Sequence, residues 1–383
     1  MSALADSGWL NPLIGLLQGV QLGLLRLLAW LGLADINHGQ AAWPWALRLS
    51  GENLLIDLGQ ARRLALTLLV LGLHVLMLLV ALVWRRRRWL LVATAPLLLV
   101  LAPWPQAEVV LLTAYPTSFH RSPTGFSVES IARGRTLYAQ HCVGCHGIDG
   151  RGQGPVAAAQ PVWPPNLAGP LLWRRADGDV LWRVLHGTKD RHGTTTMPAF
   201  DRLQDSEAWA LIDFMKAQAA GQSLRTTGVW SQPIGLPEVI VRCQGRETRL
   251  LSAWRGQRVR IVAAASSTTV LEDPRMVTVQ LRAGASPIVA DCVIDSPAAW
   301  DAFALIADTD QLAGTQLLAD RDGWLRARSA PGTAGWSEDD LVCRTATGPG
   351  NAQDDPAPAD GLGALIARMD AAPVRFLKGG FVH

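Results

Sequence analysis

Charge and cysteine are both scarce in this chain. Charged residues make up 17% of it, below the roughly 25% usual for soluble proteins, and the deficit lies in the first third. The net charge is only +3. That supplies no basic face or stripe of the kind nucleic-acid binding needs, so no nucleic-acid partner is expected. The five cysteines, Cys142, Cys145, Cys243, Cys292 and Cys343, are too few and too dispersed for a disulfide-stapled small domain. An odd number leaves at least one without a partner in the chain, or assigns some to another chemistry. The first apolar run has no basic segment before it and no clear small-x-small site after it, which argues against a cleavable signal peptide. The length, 383 residues, allows two or three domains.

The charge deficit maps onto three apolar stretches. Residues 64–84 are apolar except for Thr67 and His74, about the length that crosses a bilayer core. Four arginines, Arg85 to Arg88, follow, and then a second apolar run over 89–112. An arginine cluster between two spans belongs in the cytoplasm, so the pair reads as a hairpin with its outer ends in the periplasm. Pro96, Pro103 and Pro105 are expected to kink or shorten the second span. An earlier run, 10–33, contains Gln18, Gln21 and Arg26; a transmembrane helix, an interfacial helix and a signal anchor all remain open for it. His74 within a span has two readings, a haem or metal ligand or a neutral imidazole bonded to a neighbouring carbonyl; with one histidine and no clear partner the second is preferred. Residues 1–114 are therefore expected to be a membrane anchor of two or three helices in contact with the lipid bilayer.

The sharpest local signal is His141-Cys142-Val143-Gly144-Cys145-His146. Its core is Cys-x-x-Cys-His, the attachment pattern of c-type haem. Each thiol adds to one vinyl group, the two-residue gap lets one turn reach both, and the next residue, His146, is carried to the iron. A zinc site would want a second ligand pair at suitable spacing. A thioredoxin-type pair needs no histidine there. A helix is expected over 130–140, capped by Ser127 or Ser130 with Gly134 allowing a close crossing, and a second over 205–219. Between them Met197 precedes Pro198 off any helix. Its thioether is a soft donor suited to the sixth iron position, and His/Met ligation raises the haem potential. Met215, Met276, His186 and His192 are the rivals.

Residues 127–221 resemble a class I, single-haem cytochrome c, on the strength of Cys142, Cys145 and His146, of Met197-Pro198, of Pro164-Pro165-Asn166-Leu167 and of the flanking helix pair. The resemblance implies an all-α domain, spanning 115–221 with its approach segment, and one covalent haem c. It also implies a carbonyl from the proline segment on the proximal histidine, with Pro165 the expected donor to His146. The stretch Tyr115 to Phe126 is similar to segments joining cytochromes to membrane parts of the copper-resistance D type.

Residues 222–237 read as a linker by composition. Beyond it, strands are expected over 239–243, 259–265 and 276–281, a helix over 296–306, and a strand pair over 315–318 and 324–328 around Asp320-Arg321-Asp322-Gly323. The order over 238–383 resembles a thioredoxin-like α/β domain, with one departure. Where a working member has its cysteine pair, this chain has Ser266-Ser267-Thr268-Thr269. Dithiol exchange at that place is not expected. One disulfide among Cys243, Cys292 and Cys343 is compatible with the sequence, which does not say which.

The expected architecture is thus multi-domain. The expected function is one-electron transfer by a haem tethered on the periplasmic side of a bacterial inner membrane. With His146 and Met197 filling both axial positions, no open iron site remains for catalysis, so an electron carrier rather than an enzyme is expected. Its partners are redox proteins in or at the membrane. Acidic and basic residues nearly balance in the cytochrome segment; Arg174, Arg175, Lys189 and Arg191 are candidates to guide a partner, or simply solvated charges. The alternative is a copper-handling or assembly protein, which predicts metal ligands facing one another across the spans.

Overall fold

The computed structural model describes residues 9–84, 86, 88–169, 172–173, 175–264, 272–282, 284, 288–331, 335–343, 361–374, 377–378 and 381–382, with the side chains of 95, 338 and 377–382 excepted. Arg85, Arg87, Arg174 and Ser266 to Thr269 lie outside the described residues. The chain divides into two compact units. One comprises 1–120, 174–179 and 377–383, the other 121–173 and 180–376.

The first unit carries two helices long and apolar enough to cross a membrane, Leu10–Trp30 and Leu58–Val83. The third expected span is not one helix. Arg88–Leu101 has 14 residues with Pro96 inside it, and the chain beyond Pro103 and Pro105 makes only the turn Ala107–Val110 and the strand Leu111–Thr113. Prolines remove backbone donors and clash with the preceding turn, and here they cut the run short. Leu111–Thr113 pairs antiparallel with Leu47–Leu49.

Polar residues in the apolar helices have a local use. Gln21 accepts from the Leu49 amide (2.9 Å), Gln60 from the Gln106 amide (2.9 Å), and Thr67 donates to the Pro103 carbonyl (3.1 Å). Each satisfies a backbone group outside the helix that carries it, where an unpaired buried group would be costly. Arg48 is buried between Glu52 (2.6 Å) and Asp179 (2.8 Å), and the Ser118 hydroxyl donates to Asp179 (2.5 Å). Both carboxylates hold the Arg48 guanidinium charged although burial opposes it.

The second unit joins a helical part to a sheet. Val128–His141 begins at Ser127, whose hydroxyl accepts from the Ser130 amide (3.2 Å). It crosses Asp205–Thr227, whose first turn carries a reciprocal cap between Gln204 and Glu207. The crossing is close because Gly134 has no side chain: a Cβ there would lie 2.0 Å from the Ala210 carbonyl oxygen. Tyr138 and Phe214 meet beside it, ring centroids 5.2 Å apart. Asp213, buried in the second helix, accepts from Ser130 (2.7 Å) and from Thr124.

The sheet has seven strands in the spatial order Leu325–Arg328, Gln316–Ala319, Val259–Ala263, Val277–Arg282, Cys292–Asp295, Ile240–Cys243 and Arg249–Leu250. Val277–Arg282 runs parallel to both its neighbours; the other pairings are antiparallel. Cys243 and Cys292 face each other across adjacent strands and form a disulfide, with Cα atoms 4.0 Å apart. Cys343 is the buried unpaired thiol of this part, and burial pushes it up to about 11.

The segment expected as a linker over 222–237 is structured. The helix Asp205–Thr227 runs through its start and ends at Gly228 in the left-handed conformation, and beyond it Trp230 and Ile234 are fully buried. Its glycines, serines and threonines resemble a flexible tether in composition, but two apolar anchors bind it to the core. That core is continuous: Tyr138, Trp209 and Phe214 of the helix pair share it with Val279, Leu281, Phe303 and Leu325. Helix Pro297–Ile306 packs on both Val128–His141 and Asp205–Thr227, and a Cβ at Gly221 would lie 2.1 Å from the Leu305 carbonyl oxygen.

Candidate functional site

The attachment motif sits where the first helix stops. Val128–His141 ends with Cys142 as its C-cap, and Val143–His146 forms one further helical turn. This brings Cys142, Cys145 and His146 onto a single tight turn of backbone. Cys142 and Cys145 are not bonded to each other and both are partly buried. Burial, helped by the neighbouring Cys145, pushes the Cys142 thiol up to about 12.

The loop after the motif folds back over it. The amides of Gly152, Gly154 and Val156 donate to the carbonyls of His146 (2.8 Å), Cys145 (3.0 Å) and Gly144 (3.0 Å). The Tyr138 hydroxyl donates to the Gly147 carbonyl (2.9 Å), and Gln218 of the long helix donates to that of Ile148 (2.6 Å). Gly152 has φ +79, and a Cβ on it would lie 2.2 Å from the Pro164 carbonyl oxygen, so only glycine fits this approach.

His146 is buried, and its Nδ1 lies 3.3 Å from the Pro165 carbonyl oxygen. Desolvation lowers the imidazole below its ordinary value, against the Pro165 carbonyl that favours the charged form. A neutral ring that donates from Nδ1 leaves Nε2 as a lone-pair donor, the state a metal ligand requires. The expected pairing of His146 with Pro165 is thus present in the geometry.

Met197 ends the short strand Thr195–Met197, paired antiparallel with Thr188–Lys189, and Thr188 stands opposite Met197. The sequence placed it on a loop; the structure gives it a two-stranded hairpin instead. Met197 is half-buried and packs against the core that also takes Cys142 and Val143. Gly187 lies so close that a Cβ would come within 2.5 Å of the Met197 carbonyl oxygen, which fixes the backbone there.

The rival ligands are engaged elsewhere. His186 is exposed and stacks on Trp182 (3.9 Å between centroids), His192 bonds to Arg191 (3.0 Å), Met215 is buried on the closing helix, and Met276 belongs to a separate apolar cluster. Among the described residues no group of three or more His, Cys, Asp or Glu is placed to hold a metal ion.

Residues 131–219 match the family model Cytochrome c. This segment is a cytochrome c domain. The match begins within Val128–His141 and ends within Asp205–Thr227, and so takes in the attachment motif between them. No curated protein matches the chain. A solved structure, the reducing HAO-like protein complex of Kuenenia stuttgartiensis, is similar at 24% identity; the match covers 32% of this chain and 59% of that chain, with a TM-score of 0.23.

The residues present fit the haem c that a cytochrome c domain implies. The donor set is two unpaired thiols, a buried imidazole whose Nδ1 lies on the Pro165 carbonyl, and a half-buried thioether. The sequence missed the supports of this set. Tyr138 and Gln218 gave no signal as loop anchors, because an aromatic and an amide on a helix read as ordinary core and surface.

Proposed function

We propose that this chain is a membrane-anchored c-type cytochrome that passes single electrons through one covalently bound haem on the periplasmic side of a bacterial inner membrane. The observation that carries the reading is the motif geometry: Cys142 and Cys145 unpaired on one turn, with His146 beside them and its Nδ1 on the Pro165 carbonyl. Cys142 and Cys145 would hold the porphyrin through thioethers, and His146 and Met197 would take the axial positions. When bound, the haem supplies a one-electron iron couple whose potential is set by its axial ligands and their hydrogen bonds. Pro165 fixes the His146 tautomer and raises its basicity. Leu137, Trp209 and Met215 are buried in the apolar core against which Cys142, Val143 and Met197 pack.

Two features support the location. Leu10–Trp30 and Leu58–Val83 have the length and composition of spans, and the Cys243–Cys292 disulfide suits an oxidising compartment. With both axial positions filled by the chain, the iron offers no substrate site, so the protein is read as a carrier whose partners are redox proteins at the membrane. The sheet domain is read as thioredoxin-like without its cysteine pair, supported by the parallel centre and the terminal hairpin over 316–328. It serves as the packing partner of the haem-side helices.

A potentiometric titration of the detergent-extracted chain tests this reading. A single reversible one-electron wave with c-type absorption is expected. Absence of any reversible haem signal would refute it.

A further inference from the structure

The helix Leu10–Trp30 has the polarity of a water-facing helix turned inside out. Its buried residues are Leu10, Ile14, Gln18, Gln21 and Leu25. They recur at intervals of three and four and so lie along one face, and that face holds both glutamines. The opposite face is apolar and turned outward: Leu16 is 64% exposed, Val20 61%, Leu27 50% and Trp30 81%. Leu16, Val20, Leu24 and Leu27 follow one another at intervals of four, four and three, which again makes one stripe. Arg26 is the single charge of the helix and lies, exposed, at the edge of that stripe. The long helix Leu58–Val83 is arranged in the same sense, with Gln60 and Thr67 buried and Leu66, Leu69, Leu73 and Leu76 exposed. Polar side chains turned to the protein and leucines turned away from it are what lipid favours and water does not.

The buried face shows how this helix meets the lipid. It is packed along its whole length. Leu10 and Ile14 share an apolar cluster with Leu54, Ala61 and Leu64, and Leu25 shares another with Trp43, Ala114 and Phe119. Halfway along, Gln21 accepts from the Leu49 amide. The strand Leu47–Leu49 belongs to a two-stranded sheet, and so does Gln40–Ala41, which also packs on the helix. Two-stranded sheets leave backbone edges open, and open edges do not occur in hydrocarbon. Next to Leu49, Arg48 is buried with Glu52 and Asp179, charges that the centre of a bilayer penalises. The 21 residues of Leu10–Trp30 are about 31 Å long, so a crossing helix would carry the level of Gln21, with the strand and the ion cluster, to the bilayer mid-plane. A helix lying flat leaves both outside the lipid.

We propose that Leu10–Trp30 does not cross the bilayer but lies along its periplasmic surface, and that the partner of its outward face is the phospholipid interface itself. This rests on the membrane reading above. Leu16, Val20, Leu24 and Leu27 sink into the boundary between headgroups and acyl chains, to a depth of about 5–10 Å. Trp30 sits at headgroup level, and Arg26 reaches the phosphates from the edge of the stripe. The shared cluster of Leu10 and Ile14 with Ala61 and Leu64 joins this surface to the entry of Leu58–Val83, the helix that crosses. Both ends of Leu10–Trp30 are then on one side of the membrane.

The test uses the full chain in phospholipid nanodiscs, with a nitroxide on one introduced cysteine at a time: Leu16→Cys, Val20→Cys, Leu27→Cys and Leu31→Cys. All four positions are exposed, so the label displaces no core contact, and labelling of the parent chain sets the background. Immersion depth is read from the balance of collisions with oxygen, which enters lipid, and with a water-soluble nickel complex. The four labels should lie at one shallow depth, equal to within about 3 Å, because a flat helix keeps its stripe level. A profile about 10 Å or more deeper at Val20 than at Leu31 would show a crossing helix and overturn the proposal. So would free access of nickel to all four, which would put the face in water, or protection from both reagents, which would put it against protein. Leu73→Cys, midway down Leu58–Val83, is the control. A deep label there with any of those three results ends the proposal alone. A Leu73 label open to nickel ends the membrane reading itself.

Discussion

The Nδ1 atom of His146 points at the carbonyl oxygen of Pro165 across 3.3 Å, and that contact decides which ring nitrogen is free. The carbonyl is held in turn by a loop whose fit depends on Gly152. Replacing Gly152 with alanine places a Cβ on the Pro164 carbonyl at a positive φ. We expect a loss of about 1–3 kcal/mol in stability, a displaced proline segment and a shifted iron–histidine stretch. Thermal unfolding and resonance Raman spectra of the variant measure both.

Met197 is held at the end of a hairpin rather than on a free loop. Met197→Ala should leave the haem attached but lower the midpoint potential, since His/Met ligation raises it. The far-red methionine–iron band should vanish from the oxidised spectrum. A band that persists in the variant would transfer the sixth position to another residue.

The Cys142 thiol, pushed up to about 12 by burial, makes a prediction for protein produced without haem maturation. The thiolate is the nucleophile, and a raised value keeps the group protonated below it. Iodoacetamide should therefore modify Cys142 slowly near pH 8, with a rate that climbs as pH approaches 12. Mass spectrometry of timed digests follows this. Rapid modification near neutrality would mean that the site is open rather than packed.

The cytochrome domain and the sheet share one apolar core, and a Cβ at Gly221 would lie 2.1 Å from the carbonyl oxygen of Leu305, on the helix Pro297–Ile306. Gly221→Val should destabilise the second unit by about 1–3 kcal/mol through overpacking, because its Cβ would lie 2.1 Å from the Leu305 carbonyl oxygen. It should broaden unfolding of the haem domain and the sheet together. A variant in which the sheet melts alone, leaving the haem transition untouched, would show that the two are energetically separate.

Much of this arrangement was legible in the residues because it rests on local chemistry. The motif at Cys142 names its own cofactor. β-branched and small apolar residues located strands over 239–243, 259–265 and 276–281, close to the observed Ile240–Cys243, Val259–Ala263 and Val277–Arg282, and Ser127 or Ser130 marked a helix start. What escaped was set by distant contacts. The continuation of the closing helix to Thr227 was hidden by a composition that also suits a tether, and only the burial of Trp230 and Ile234 reveals it. The strand Cys292–Asp295 is four residues long, too short to show a period, so the pairing of Cys243 with Cys292 was out of reach. The prolines at 96, 103 and 105 were expected to kink or shorten the run over 89–112, and it forms a short helix, a turn and a strand. Tyr138 and Gln218 act on loop carbonyls, whose positions no side-chain pattern encodes.

The most direct test of the account is extraction of the purified protein with acidified acetone, followed by the alkaline pyridine spectrum of the pellet. The account predicts that the pigment stays with the protein, with a c-type spectrum and one haem per chain, and that Cys142→Ser together with Cys145→Ser abolishes this retention. Colourless protein, or pigment that passes wholly into the acetone, would contradict it.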